Sequence, residues 1–222
     1  MIAENGPDSF IWWSWIGDHT DEIWERTVQH LVLTGIAIGI GLVLSVVLSA
    51  IALRYRRSLG PITWGASILY AIPSLALFGF LVPITGASLL TAEIALVSYC
   101  LLILIQNVVA GVDGVPESVR DAADGMGYTP LRRFVRVELP LALPEIITGL
   151  RVATVTVIGL VTVTALIGHG GLGAFINDGL DRSFSTPIIV GIVGSVALAL
   201  IADLIFVVIQ HALTPWTRGG RS

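Results

Sequence analysis

"LVLTGIAIGIGLVLSVVLSAIAL", residues 31–53, contains no charged side chain, and "RYRR" follows it directly at residues 54–57. A helix of this length, rising about 1.5 Å per residue, covers the roughly 30 Å hydrocarbon core of a bilayer. The rest of the chain offers no polar shell for it: 55% of the 222 residues are hydrophobic and 13% are charged, against about 25% charged in a soluble domain. Lipid is therefore the solvent for much of the chain, and the expected fold class is an all-α membrane protein.

Hydropathy predicts five transmembrane helices, near His30–Leu53, Ile62–Val82, Ala92–Val112, Ile146–Ile167 and Pro187–Ile209. Pro73 falls inside the second, in "YAIPSLALFGF", where it should kink the helix and free a backbone carbonyl for Ser74 or a neighbouring helix. Nine of the twelve arginines lie after the first span, between the third and fourth, and in the tail. Basic residues collect on the cytoplasmic side, so the N-terminus is expected outside and the C-terminus in the cytoplasm. This divides the chain into an extracytoplasmic or interfacial segment 1–27, a transmembrane domain 28–212 with a polar loop at 113–145, and a cytoplasmic tail 213–222. Gly35 and Gly39, and Gly191 and Gly194, give small faces for close packing, in the same chain or against a second copy.

Residues 1–27 hold six acids and one arginine, unlike the basic start of a secretory signal. Trp12, Trp13, Trp15 and Trp24 fit either a short helix in the headgroup layer or packing on a neighbouring helix.

Several activities are excluded or disfavoured. All twelve basic residues are arginines, so the chain has no lysine for a phosphate-binding P-loop or a Schiff base. The single cysteine, Cys100, excludes an internal disulfide and any C-x-x-C motif, and the four histidines lack metal-ligand spacing, so no metal site is expected. The basic residues form no stripe with interleaved aromatics, which argues against nucleic acid as a partner. No nucleophile, base and orienting group fall into a recognisable arrangement, so the chain is not expected to be an enzyme.

The polar loop is the exception in a greasy chain. "DAADGMGYTPLRRFVRVELP", residues 121–140, carries six acidic and basic side chains. Pro116 and Glu117 suit the first turn of a short helix, in which Ala122 and Ala123 leave the middle thin and Asp121 and Asp124 flank it. Gly127 can take the left-handed conformation that ends such a helix, and Thr129-Pro130 can begin a second one, stopped by Pro140. A thin helix with acids beside it suits a groove on a partner that offers basic residues.

The spacing of this loop resembles the EAA loop of ABC importer permeases: E-A-A-x-x-x-G, nine residues, then I-x-L-P. Ala122, Ala123, Gly127, Leu139 and Pro140 match; Asp121 stands in place of Glu and Val137 in place of Ile. Asp keeps the charge but shortens the reach by one methylene. The resemblance runs from about residue 28 to 212 and is closest to permeases of osmoprotectant importers for glycine betaine, carnitine, choline and proline. It rests also on "YAIPSLALFGFLVPITG", "VPESVRDAADGMG", "RVELPLALPEIITGLR" and "LIGHGGLGAFINDGL". It implies a permease subunit in a prokaryotic cell membrane, with a second permease subunit, the same chain or a sister chain. ABC ATPase subunits bind the coupling helices and an extracytoplasmic binding protein delivers the solute. It also implies that ATP and Mg sit on the partner ATPase and that this chain holds no cofactor. Glu117, Asp121, Ala122, Ala123, Gly127, Leu139 and Pro140 become the ATPase-coupling residues. Related permeases for methionine share some of these stretches, and a non-transport scaffold or channel is the reading from another class.

Within the spans, Arg151 and Asp203 are expected at similar depth and are predicted to pair, as a gate latch or as a packing tie. Glu93 is expected at the interface. Gln106 and Asn107 are expected either to line a wet cavity or to bond across helices. Candidate pathway residues are Trp64, Tyr70, Ser74, Phe78, Tyr99 and Asn107; the aromatic faces offer cation-π contacts to a quaternary ammonium. "GHGGLG", 168–173, reads as an exposed turn or a re-entrant gate.

Overall fold

The computed structural model describes residues 10–218; of the acids and arginines counted above, Glu4, Asp8 and Arg221 lie outside them. Ten α-helices account for most of it: α1 Trp13–Asp18, α2 Thr20–Arg54, α3 Leu59–Ala71, α4 Ser74–Thr85, α5 Leu89–Asp113, α6 Glu117–Gly125, α7 Pro130–Arg133, α8 Leu139–Val161, α9 Gly173–Asp181 and α10 Ser185–Leu213. No strand occurs among the described residues.

Four helices are long and apolar enough to cross a membrane, and the count is five if α3 and α4, bent by 95° where they join, are one broken span and not a re-entrant loop. The first span is longer than its apolar run. At 35 residues α2 extends about 50 Å, so its first turns, with Asp21 and Glu22, reach past the hydrocarbon. The sequence boundary at residue 27 thus falls inside a continuous helix. Trp12 and Trp15 pack edge-on or tilted against Phe184, and Trp15 also meets Phe175, while Trp13 and Trp24 stay exposed. For Trp12 and Trp15 the helix-packing alternative is the one observed.

Where the sequence predicts a kinked second span, the helix is broken outright. Ile72 and Pro73 are both extended, at ψ 126° and 135°, because a residue before proline is driven out of the helical region. The Ile72 carbonyl released there accepts the Tyr99 hydroxyl of α5. Ser74, the other candidate, begins α4 instead.

Helix α5 is the centre of the bundle. Leu96, Val97, Cys100 and Leu104 on it meet Leu33 and Ala37 of α2 and Ala153, Val157 and Val161 of α8 in one buried cluster. The approach is close enough to need glycine on the facing helices. A Cβ on Gly41 would lie 2.2 Å from Cys100 Sγ, and one on Gly149 would lie 2.5 Å from Asn107 Cβ. Of the glycine faces expected from sequence, Gly191 and Gly194 pack on Ile176 and Leu172 in the same chain. Gly35 and Gly39 face no atom within 4 Å, so their face is not used within the chain.

The stretch 168–173 is not an exposed turn. Gly170, Gly171, Leu172 and Gly173 are buried. Gly171, at φ 49°, presses on the backbone of His30, and Gly173 on that of Thr162. The His30 ring is fully buried and its Nε2 donates to the Ile158 carbonyl at 3.0 Å. Glu93 likewise departs from expectation: it is 7% exposed and neither carboxylate oxygen has a partner, because it shares the helix stripe of Leu96, Val97, Cys100 and Leu104.

Arg151 of α8 grips Asp203 of α10 through two hydrogen bonds, Nε to Oδ1 at 2.9 Å and Nη2 to Oδ2 at 3.0 Å. The pair lines an open groove with Thr148, Val152, Val155 and Thr156, and each side chain keeps about a third of its surface.

The packing has two measurable consequences. Gly171→Ala places a Cβ against backbone at positive φ and should lower stability by about 1–3 kcal/mol, whereas Gly65→Ala, with nothing within 4 Å, should be neutral or stabilising. Equal melting temperatures of the two variants in detergent would contradict the assignment. Asp203→Asn leaves Arg151 without its charge partner and should cost more than the roughly 0–1 kcal/mol of an exposed pair. The double variant Arg151→Leu with Asp203→Leu should recover most of the loss, as charged pairs in apolar surroundings do; a double variant no more stable than Asp203→Asn would contradict it.

Candidate functional site

The loop between α5 and α8 folds as two short helices that project from the end of the bundle bearing Arg56 and Asp113. Glu117 opens α6 and is exposed, as are Asp121 and Ala122, while Ala123 is 1% exposed and seats the helix. Helix α6 ends in a Schellman turn: the N–H of Gly127 donates to Asp124 O at 2.9 Å and that of Tyr128 to Ala123 O at 3.1 Å. Gly127 has φ 76°, a conformation that costs most other L-residues about 1–2 kcal/mol. Thr129 then caps α7, its hydroxyl accepting from Arg132 N, with Pro130 in first position.

The second helix does not stop at Pro140. Residues 130–161 form one helix, interrupted only by a π turn at Phe134–Glu138. Within it the Leu139 N–H reaches back five residues to the Phe134 carbonyl. A π turn immediately before Pro140 relieves the missing donor and the ring clash that would otherwise end the helix. Leu139 and Pro140 are thus half-buried at the base of α8, with Pro140 beside Arg136, Val137, Leu141 and Trp216 in a shallow groove.

Charges stitch the hairpin to the bundle. Arg56, after α2, makes a two-pronged ion pair with Asp113 at the end of α5, at 2.6 and 2.7 Å. Arg120 of α6 donates to the Val112 carbonyl at 2.7 Å, which also accepts the Val115 N–H at 3.3 Å at the end of α5. Arg133 of α7 bridges two acids, Asp124 of α6 at 2.5 Å and Glu138 of the π turn at 2.7 Å. Arg132 stacks over the Tyr128 ring at 4.5 Å.

Glu138 is the residue that the sequence reading missed. It occupies the unspecified position of the I-x-L-P pattern, yet it is 6% exposed and accepts from Arg133 while Arg120 Nε lies 3.9 Å away. A buried carboxylate of this kind needs partners, and leaving it unpaired costs about 3–5 kcal/mol. No sequence signal marks it, because residues five apart lie about 140° apart around an α-helix and only the π turn brings Arg133 and Glu138 to one face.

The outward face of the hairpin is apolar as well as acidic. Met126 is 67% exposed and Leu131 73% exposed, and Ala122 and Asp121 are exposed as well. A surface of this chemistry suits a partner groove with basic edges.

The candidate pathway residues are only partly gathered. Phe78 and Tyr99 share a buried cluster, and Tyr70 packs edge-on against Tyr99 at 6.1 Å. Trp64 is 70% exposed on the outside of α3 and joins none of them, so the four aromatics form no cage. Ser74 borders a groove with Thr162 and Asn177. Half-buried Asn107 donates its amide to Ile103 O of its own helix at 2.8 Å, close against Gly149 of α8.

Residues 37–215 match the family described as "Binding-protein-dependent transport system inner membrane component". Among characterised relatives, the choline transport system permease protein OpuBB of Bacillus subtilis is 34% identical over 194 residues, covering 87% of this chain and 89% of that protein. The osmoprotectant import permease protein OsmW of Salmonella typhimurium is 34% identical over 203 residues, covering 89% and 94%. Among solved structures, an inward-facing MetNI methionine ABC transporter chain superposes with a TM-score of 0.68 at 21% identity, over 88% of this chain and 95% of that chain. At that identity the likeness shows the fold. The family match over most of the chain, the apolar spans and the helix-turn-helix loop agree, and the chain belongs to the binding-protein-dependent transport system inner membrane components, as an ABC importer permease.

Proposed function

We propose that the chain forms the translocation pathway of an ATP-driven importer for osmoprotectants of the choline, glycine betaine and carnitine class. The observation that carries this reading is the projecting hairpin, whose Ala122, Ala123, Gly127, Leu139 and Pro140 fit the importer loop pattern and whose exposed face is built for a partner. The solute class is supported by relatives named as choline and osmoprotectant permeases at about a third identity over most of the chain. The methionine alternative has behind it a fold likeness at 21% identity.

In this reading the arginine-rich end faces the cytoplasm, and α6 lies in a groove of an ABC ATPase that binds ATP and Mg. A second permease subunit completes the pathway, and an extracytoplasmic binding protein delivers the solute. Closure of the ATPases displaces α6 and swings the spans between inward-facing and outward-facing states, a rigid-body transition. Tight recognition of the quaternary ammonium falls to the binding protein, since Tyr70 and Tyr99 form a pair and not a cage.

The test is uptake of radiolabelled glycine betaine in a transport-deficient host carrying this chain with its ATPase and binding protein. Uptake should require ATP, and Gly127→Asp should reduce it at least tenfold while membrane insertion persists, because it adds a side chain and a charge at the exposed turn of the docking hairpin. An assembled complex that accumulates none of glycine betaine, choline, carnitine or proline would overturn the solute class.

A further inference from the structure

The hairpin has two routes by which a displacement of α6 can reach the membrane-spanning α8. The covalent route is soft. It passes through the single left-handed residue Gly127 and then through the π turn Phe134–Glu138, where the regular hydrogen-bond ladder is widened. A push on α6 delivered only through backbone would be absorbed at these two points.

The side-chain route bypasses both. Asp124 of α6 holds Arg133 Nη1 at 2.5 Å, and the same guanidinium holds Glu138 Oε1 through Nε at 2.7 Å. This chain of contacts runs from α6 across the Gly127 turn, and its second bond spans the π turn end to end, from residue 133 to residue 138. Glu138 is buried and lies immediately before the first residue of α8. Its second oxygen faces Arg120 of α6. Arg120 Nε stands 3.9 Å from Glu138 Oε2, and that nitrogen is buried without a hydrogen-bond partner. Approach by about 1 Å would bring the two within hydrogen-bond distance.

We propose that Glu138 is the positioning residue that couples α6 to α8: its bond to Arg133 locks the π turn, and its second oxygen takes up Arg120 when α6 is driven toward the membrane. The inference rests on the importer reading above. It adds that force passes through a buried carboxylate at the root of α8, and that the structure holds this clasp half-engaged, one contact made and one open.

The experiment uses the complete importer, with its ATPase and binding protein, in proteoliposomes, and reads ATP hydrolysed and glycine betaine accumulated in the same preparation. Glu138→Gln keeps the size of the side chain and removes its charge. It should raise the ratio of ATP hydrolysed to solute moved about tenfold, and Glu138→Asp should restore part of the coupling. Arg120→Gln leaves the Arg133–Glu138 bond standing, serves if the Glu138→Gln complex does not assemble, and should raise the ratio by a smaller factor. A merely structural role would lower hydrolysis and uptake together, so an unchanged ratio in Glu138→Gln, or in Arg120→Gln where that variant stands in, overturns the clasp. Wild-type complex that hydrolyses ATP but accumulates no glycine betaine, choline, carnitine or proline overturns the importer reading and the clasp with it.

Discussion

The fold depends on the close approach of α5 to α2 and α8. In a bilayer, lipid chains are as apolar as the helices, so water exclusion gives little reason for helices to associate and close contact must hold them together. Gly41 and Gly149 supply it by having no side chain at the two points where Cys100 and Asn107 of α5 arrive. The seam sets the position of the hairpin as well: α5 and α8 leave the bundle side by side, with Gly111 of α5 against the Ala142 carbonyl of α8 at its base. The loop between them therefore emerges as a compact projection, held at both ends.

A second constraint shapes the rest. Backbone groups freed inside the membrane must find partners in the protein. The break at Ile72–Pro73 persists because the Tyr99 hydroxyl takes the freed Ile72 carbonyl. The tightly packed 168–173 stretch persists because Thr164 bonds the His169 carbonyl at 2.9 Å and His30 bonds that of Ile158 at 3.0 Å. At each of these breaks inside the bundle, a side chain meets the carbonyl that the break frees.

Much of this could be read from the sequence. Hydropathy gives the spans, and the arginine distribution places three segments at one end, as does the bond from Gln210 of α10 to Pro144 of α8 at 3.0 Å. The Gly127 turn and the Thr129 cap were legible because each rests on a local rule of backbone geometry. The Arg151–Asp203 pair was legible because ionisable groups in apolar spans need partners and these two sit at one depth. The features that were not legible depend on neighbours far along the chain. Glu93 reads as interfacial from its place near a helix end, but its stripe on α5 turns it inward. Pro140 reads as a stop because proline lacks a donor, and only the π turn before it, invisible to a 3.6-residue period, lets the helix continue. That same turn hid Glu138, since it alone aligns residues five apart.

The distribution of ties gives the molecule a mechanical asymmetry. Between α5, α2 and α8 the contacts are apolar and interlocked, so one helix cannot shift without disturbing the packing of the others, and a dense interior resists gradual deformation. Around the hairpin the ties are ion pairs among Arg56, Asp113, Arg120, Asp124, Arg133 and Glu138, which can lengthen, shorten or exchange partners without opening a void. Motion imposed at this end is therefore relayed through the charges, which hold across the Gly127 turn and the π turn. It reaches the bundle as a displacement of whole helices, because the packed seam offers no softer response.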